Sequence, residues 1–181
     1  AKLGTGHIVE DIKLGLELTS AGTPPLFCPT ARVTSNFPVA ADAVQTQRSR
    51  WEHGHLGVIV SEVPSAMWSA IVHRNLNLLA MALSLSVPPL ALLTLLLVAL
   101  LFFTAIFGIL TGMLLPLGIA LVSTATLASA VLLAWRSHGR SIISLLQLSG
   151  VPLYVLSKVP VYFYFLFKRQ SEWIRSKREG E

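Results

Sequence analysis

The feature that most constrains this chain is a run of 61 residues, Asn75 to Trp135, without a single Asp, Glu, Lys or Arg. Leu, Ala, Val, Ile and Phe dominate it. An α-helix rises about 1.5 Å per residue, so roughly 20 apolar residues cover the hydrocarbon core of a bilayer. The run is therefore long enough for two crossings. It is internal and too long to be a secretory signal. Pro88 and Pro89 remove backbone donors and restrict the residues before them. The first span is thus expected from about Pro88 to Leu110, a turn at Thr111-Gly112, and the second span from about Met113 to Trp135.

The net charge of +5 belongs to one end of the chain. Residues 1–75 hold six basic and six acidic side chains, whereas residues 136–181 hold eight basic and three acidic. Basic residues beside apolar spans mark the cytoplasmic side and can touch anionic lipid head groups. No nucleic-acid-binding module accompanies the charge, so a nucleic-acid partner is not expected. Arg136 and Arg140 place the end of the second span in the cytoplasm. A third crossing over residues 142–167 would leave Lys168, Arg169, Arg175, Lys177 and Arg178 outside, against the usual bias. Gly150, Pro152, Lys158 and Pro160 interrupt that segment, and Tyr154, Tyr162, Tyr164 and Trp173 suit the interface. An interfacial or re-entrant segment is expected there.

Upstream of the spans, residues 9–21 read as an amphipathic helix stopped by Gly22. Leu26-Phe27-Cys28 and Ala31-Arg32-Val33-Thr34 read as short strands among prolines. Ser35 or Asn36 can cap a helix with Pro38 in its first turn, running from about Val39 to Val60. Gly54 and Gly57 weaken its second half, so a kink or early end is expected there. Residues 66–86 read as one helix along the membrane surface. Cys28 is the sole cysteine, which excludes an intrachain disulfide or a cysteine zinc site, and the expectation is a buried thiol in a strand. A reducing compartment fits.

Two clusters carry possible chemistry. Glu10-Asp11 sits at a helix start, where acids interact well with exposed amides and the dipole. A carboxylate held there can also act as a general base at a cleft edge. The second cluster is Gln47-Arg48-Ser49-Arg50-Trp51, beginning 36 residues after Asp11. On a helix Gln47, Arg50 and Trp51 fall near one face, and Arg48 meets Trp51 at a spacing of three. Guanidinium groups grip diphosphate oxygens, often two at a time, and an indole offers a flat apolar face to a sugar. The same pentapeptide also suits a basic juxtamembrane helix anchored by its Trp.

An acid pair, then Gln-Arg-x-Arg-Trp, then membrane spans resembles the membrane-bound family 2 glycosyltransferases, the group of cellulose, chitin and hyaluronan synthases. Only the acids of the family's Thr-Glu-Asp-type motif match, because Val9 stands where Thr would; the pentapeptide matches fully. The likeness covers nearly all of the chain. It implies Asp11 (with Glu10 beside it) as catalytic base and Arg50, with Arg48, on the donor diphosphate. It also implies Trp51 under the acceptor sugar and Gln47 near the acceptor. The implied partners are a nucleotide-sugar donor, a saccharide or lipid-linked acceptor, and the lipid bilayer of the inner membrane. The family's nucleotide-binding half, with the Asp residues that hold uridine and a divalent cation (Mg or Mn), precedes the base motif. No Asp-x-Asp occurs in this chain. The chain begins at Ala1 without Met, so an upstream half is expected to be missing and the chain to be inactive alone.

The architecture expected is an α-rich membrane protein. Residues 1–65 would be the C-terminal part of a GT-A-type α/β catalytic domain and residues 66–87 an interfacial helix. Residues 88–135 would form two transmembrane helices, and residues 136–181 an interfacial or third membrane segment with a basic cytoplasmic tail. His53-Gly54-His55 is a poor metal site, since residues two apart on a helix point in different directions. Glu52 reads as a solvated neighbour. Gly4-Thr5-Gly6-His7 is a flexible approach to the first helix, with His7 within reach of substrate. The other function class that fits is a non-catalytic membrane anchor or transporter-like subunit. A peripheral domain binding anionic lipid is a third. The absence of ionisable residues in the two spans argues against transport.

Overall fold

The computed structural model describes residues 9–34 and 41–167. The loop around His7, the Ser35, Asn36 and Pro38 cap, and the basic tail with Trp173 lie outside the described residues. All regular structure among the described residues is helical, and the chain forms two compact units.

The first unit holds α1 (Glu10–Ser20), α2 (Ala41–Ser61), α3 (Val63–Val72) and α4 (Leu76–Ser86), together with residues 163–167 at the end of the last helix. Ile12, Leu16 and Thr19 recur at helical spacing, and this stripe of α1 faces the core. Leu16 joins Val58, Val63, Ala70 and Leu78 in a buried cluster, with Val9, Ile12, Met67, Met81 and Leu85 packed against it. Gly15 lets α1 approach α4 closely, since a Cβ there would stand 2.7 Å from Met81 Cε. The buried Thr19 hydroxyl donates to the Gly15 carbonyl at 2.7 Å, which removes its need for water. Lys13 and Glu62 form a partly exposed ion pair at 3.0 Å between α1 and the α2–α3 junction.

Several expectations are corrected here. No strand forms at Leu26–Cys28 or at residues 31–34. Pro24, Pro25 and Pro29 have no amide to give a ladder, and Leu26, Phe27 and Val33 lie almost fully exposed with no neighbouring strand to pair with. Cys28 is likewise exposed rather than buried. The Thr30 hydroxyl, then the amides of Ala31 and Thr30, hold its thiol below the usual cysteine range. Helix α2 runs unbroken through Gly54 and Gly57, both buried against neighbours. The chain bends instead by 41° at Glu62, where Pro64 enters the first turn of α3 and cannot continue the α2 ladder.

The single surface helix expected over residues 66–86 is a hairpin of α3 and α4 packed on one another. Helix α3 ends with Arg74 in the left-handed region (φ 52°). The amide of Asn75 donates to the Ala70 carbonyl at 2.9 Å and that of Arg74 to Ile71 at 3.2 Å. Asn75 then caps α4 by accepting from the Leu78 amide at 3.0 Å, while its Nδ2 donates to the Thr19 carbonyl at 3.3 Å. The same closing pair ends α1, but there the left-handed position is Gly22 (φ 87°). Relieving the strained arginine should help, so Arg74→Gly is expected to stabilise the protein by about 0.5–1 kcal/mol. Thermal unfolding in detergent would check it; a lowered melting temperature would contradict it.

The second unit contains α5 (Leu90–Thr111), α6 (Leu115–Ala134), α7 (Leu145–Leu148) and α8 (Val151–Ser157). Helix α5 packs on α6 and α8, and Gly112 (φ 75°) makes the turn between α5 and α6. Within α6, the hydroxyls of Ser123, Thr124 and Thr126 each donate to the carbonyl four residues back at 2.8–2.9 Å. Their polarity is thus satisfied inside the helix, which suits lipid. A π-helical turn, Trp135–Gly139, prolongs α6, and the Trp135 indole donates to the Ile143 carbonyl at 2.9 Å.

Helix α9 (Val159–Phe167) continues α8. Length and composition allow three helices to cross a membrane: Leu90–Thr111, Leu115–Gly139 and Leu145–Phe167. The first two match the expected spans. The third lies where an interfacial or re-entrant segment, or a third membrane segment, was expected; α7, α8 and α9 run on through Gly150, Pro152 and Pro160, each proline sitting in a helical first turn where its missing amide costs nothing.

Candidate functional site

Pro24 and Pro25 follow the first helix, and α1 starts without a side-chain cap because Val9 occupies the cap position. Glu10 and Asp11 fill its first turn and are exposed. The dipole and the open amides of the helix start favour carboxylates there. Ile12 turns inward to the core, so the two acids stand at the rim of the packed unit rather than inside it.

These acids line a cavity of about 700 Å³ together with Val9, Ile12, Trp51, His55, Ser84 and Leu85. That volume lies in the range of small-molecule sites. Three elements build it. Helix α1 contributes the acids, α2 contributes Trp51 and His55, which lie four residues apart and so share a face, and the end of α4 contributes Ser84 and Leu85. Trp51 is 47% exposed.

Of the residues singled out from the sequence, the fold brings Glu10, Asp11 and Trp51 to one cavity. Gln47, Arg48 and Arg50 lie on the same helix but outside this lining. Arg48 is exposed, whereas Gln47 and Arg50 are partly buried. Glu52 is partly buried as well, not a freely solvated neighbour.

His53 and His55 separate as their spacing requires. His53 is buried, its ring stacked on Tyr164 at 6.3 Å and tilted against Phe165 at 5.4 Å. His55 instead reaches the Leu85 carbonyl at 3.1 Å. From the sequence His55 was weighed only as a metal ligand beside His53. Its signal lay four residues beyond Trp51, on the stripe that already held the indole.

No cluster of three or more His, Cys, Asp or Glu side chains able to hold a metal ion occurs among the described residues. No protein-family model, curated protein or solved structure matches this chain.

Proposed function

We propose that this chain is the acceptor-binding and membrane-embedded part of an inverting family 2 glycosyltransferase. It would move a sugar from a nucleotide-sugar donor to a saccharide or lipid-linked acceptor at the cytoplasmic face of the inner membrane. The observation that carries this reading is the single cavity shared by Glu10, Asp11 and Trp51. These residues are 40 positions apart in sequence, counting from Asp11 to Trp51.

In the proposed reaction the acceptor sugar lies against the Trp51 indole with one hydroxyl directed at Asp11. The carboxylate takes the hydroxyl proton as the oxygen attacks the anomeric carbon of the donor. A new carbon–oxygen bond forms, the bond to the nucleoside diphosphate breaks, and its electron pair leaves with the diphosphate. Arg50, next to Trp51 on α2, would hold that leaving group, with Gln47 at the acceptor's edge. A divalent cation, where one takes part, adds charge neutralisation on the diphosphate.

The nucleotide-binding half belongs to this proposal too. The complete enzyme is expected to transfer sugar from a nucleotide-sugar donor, and the isolated 181 residues are not. A radiolabel-transfer assay on both checks this; measurable transfer by the isolated chain would contradict it.

One observation favours the non-catalytic reading of a membrane transport subunit. Lys158 is 6% exposed within a helix able to cross the membrane, with its Nζ 5.3 Å from the Tyr154 ring. Ionisable groups within membrane spans often mark substrate or ion pathways. That reading predicts flux through reconstituted vesicles with no dependence on Asp11.

A further inference from the structure

Helix α4 ends against Pro88 and Pro89. A further turn would need amides at positions 88 and 89 to donate to the carbonyls of Ser84 and Leu85, and proline has no amide hydrogen. The Leu85 carbonyl is thus left open by its own helix. The His55 ring occupies that opening, with Nε2 3.1 Å from the oxygen. A carbonyl oxygen only accepts, so Nε2 carries the proton of this bond. In the neutral ring, Nδ1 is then an acceptor.

His55 lines the same cavity as Glu10, Asp11 and Trp51. The cavity therefore combines an aromatic face, carboxylates and an imidazole whose tautomer is set by the backbone. Two carboxylates and an imidazole along one cavity offer several hydrogen-bond acceptors and match a ligand with more than one hydroxyl donor. Neighbouring hydroxyls on one ring are what a saccharide offers, and a lone primary alcohol does not.

We propose that His55 binds a second hydroxyl of the acceptor through Nδ1, beside the hydroxyl that Asp11 deprotonates, the bond to the Leu85 carbonyl serving to leave Nδ1 as the acceptor. The inference rests on the glycosyl-transfer reading and deepens it: the acceptor presents a sugar diol at this cavity. With the second hydroxyl held, the attacking oxygen cannot swing away from Asp11. Without it, water competes more readily for the donor.

Two variants separate binding from structure. His55→Gln keeps a donor near the Nε2 position for Leu85 but has no acceptor where Nδ1 stood. His55→Asn keeps an acceptor near Nδ1 and loses the tether to Leu85. Membranes holding the complete enzyme would be given radiolabelled UDP-glucose, UDP-N-acetylglucosamine and GDP-mannose. Transfer to endogenous acceptor and release of free sugar are then counted separately. His55→Gln is expected to lower transfer about tenfold, the loss of roughly one good hydrogen bond. Its KM for the donor should stay unchanged, and a larger share of donor should go to water. His55→Asn should stay within about threefold of wild type, less than half a decade of binding energy.

The reverse ranking, Gln near wild type and Asn impaired, would make His55 a structural strut and overturn the proposal. Should His55→Gln not accumulate in the membrane, His55→Asn decides alone: transfer near wild type supports the proposal, and a tenfold loss at unchanged donor KM overturns it. Asp11→Asn in the same preparation keeps the two levels apart. If it abolishes transfer while His55 variants behave as struts, only the His55 assignment falls. If the wild-type membranes transfer none of the three sugars, the glycosyl-transfer reading falls and this inference with it.

Discussion

Asp11→Asn in the complete enzyme is expected to lower sugar transfer by at least about 10²-fold while leaving donor binding in place. The substitution keeps size and shape but replaces a proton acceptor by an amide that cannot take the hydroxyl proton. Asp11 is exposed in the first turn of α1, so the packed core beneath it should not notice the change. Glu10 lines the same cavity, but successive side chains on a helix diverge, so it cannot present its carboxylate along the same line. Glu10→Gln should therefore cost much less than Asp11→Asn. Radiolabel transfer, with donor affinity measured by titration in parallel, checks both. Wild-type rates in Asp11→Asn would remove this residue from the mechanism.

Leu78→Ala should unfold the cavity from behind. Leu78 is 3% exposed and touches the cluster formed by Leu16, Val58, Val63 and Ala70. Truncating a buried leucine removes its transfer energy and leaves a void, about 2–5 kcal/mol in comparable cores. Helix α4 also carries Ser84, Leu85 and the carbonyl that fixes His55, and it packs on α1, which carries the acids. The variant should lose thermal stability and catalysis together, without any change to a residue that touches substrate. Denaturant unfolding followed by tryptophan fluorescence would report it. A shift below about 0.5 kcal/mol, the range of an exposed substitution, would mean that these four helices do not share this core.

The membrane helices were the most legible part of the chain. A charge-free run divided by Pro88-Pro89 and Gly112 leaves α5 and α6 little freedom, and both lie within a few residues of expectation. Helix α1 was equally clear, because its apolar stripe and Gly22 are strong local signals. The α3–α4 hairpin was hidden for the opposite reason. Its turn uses Arg74, a residue with no turn preference, and it is held by bonds from Asn75 to Leu78 and to Thr19, 56 positions away. The false strands near Cys28 had good local propensity and no partner, and a ladder needs both. Trp51 and the acids were legible as separate motifs. His55 was not, since its bond is to the Leu85 carbonyl, 30 residues further on and in another helix.

The measurement that bears most directly on this account is an experimental structure of the complete enzyme with an acceptor saccharide bound. The saccharide ring is expected against the Trp51 indole, with one hydroxyl within about 3 Å of an Asp11 oxygen, the ordinary reach of a short hydrogen bond. A saccharide seated elsewhere, with this cavity empty or filled by lipid, would contradict it.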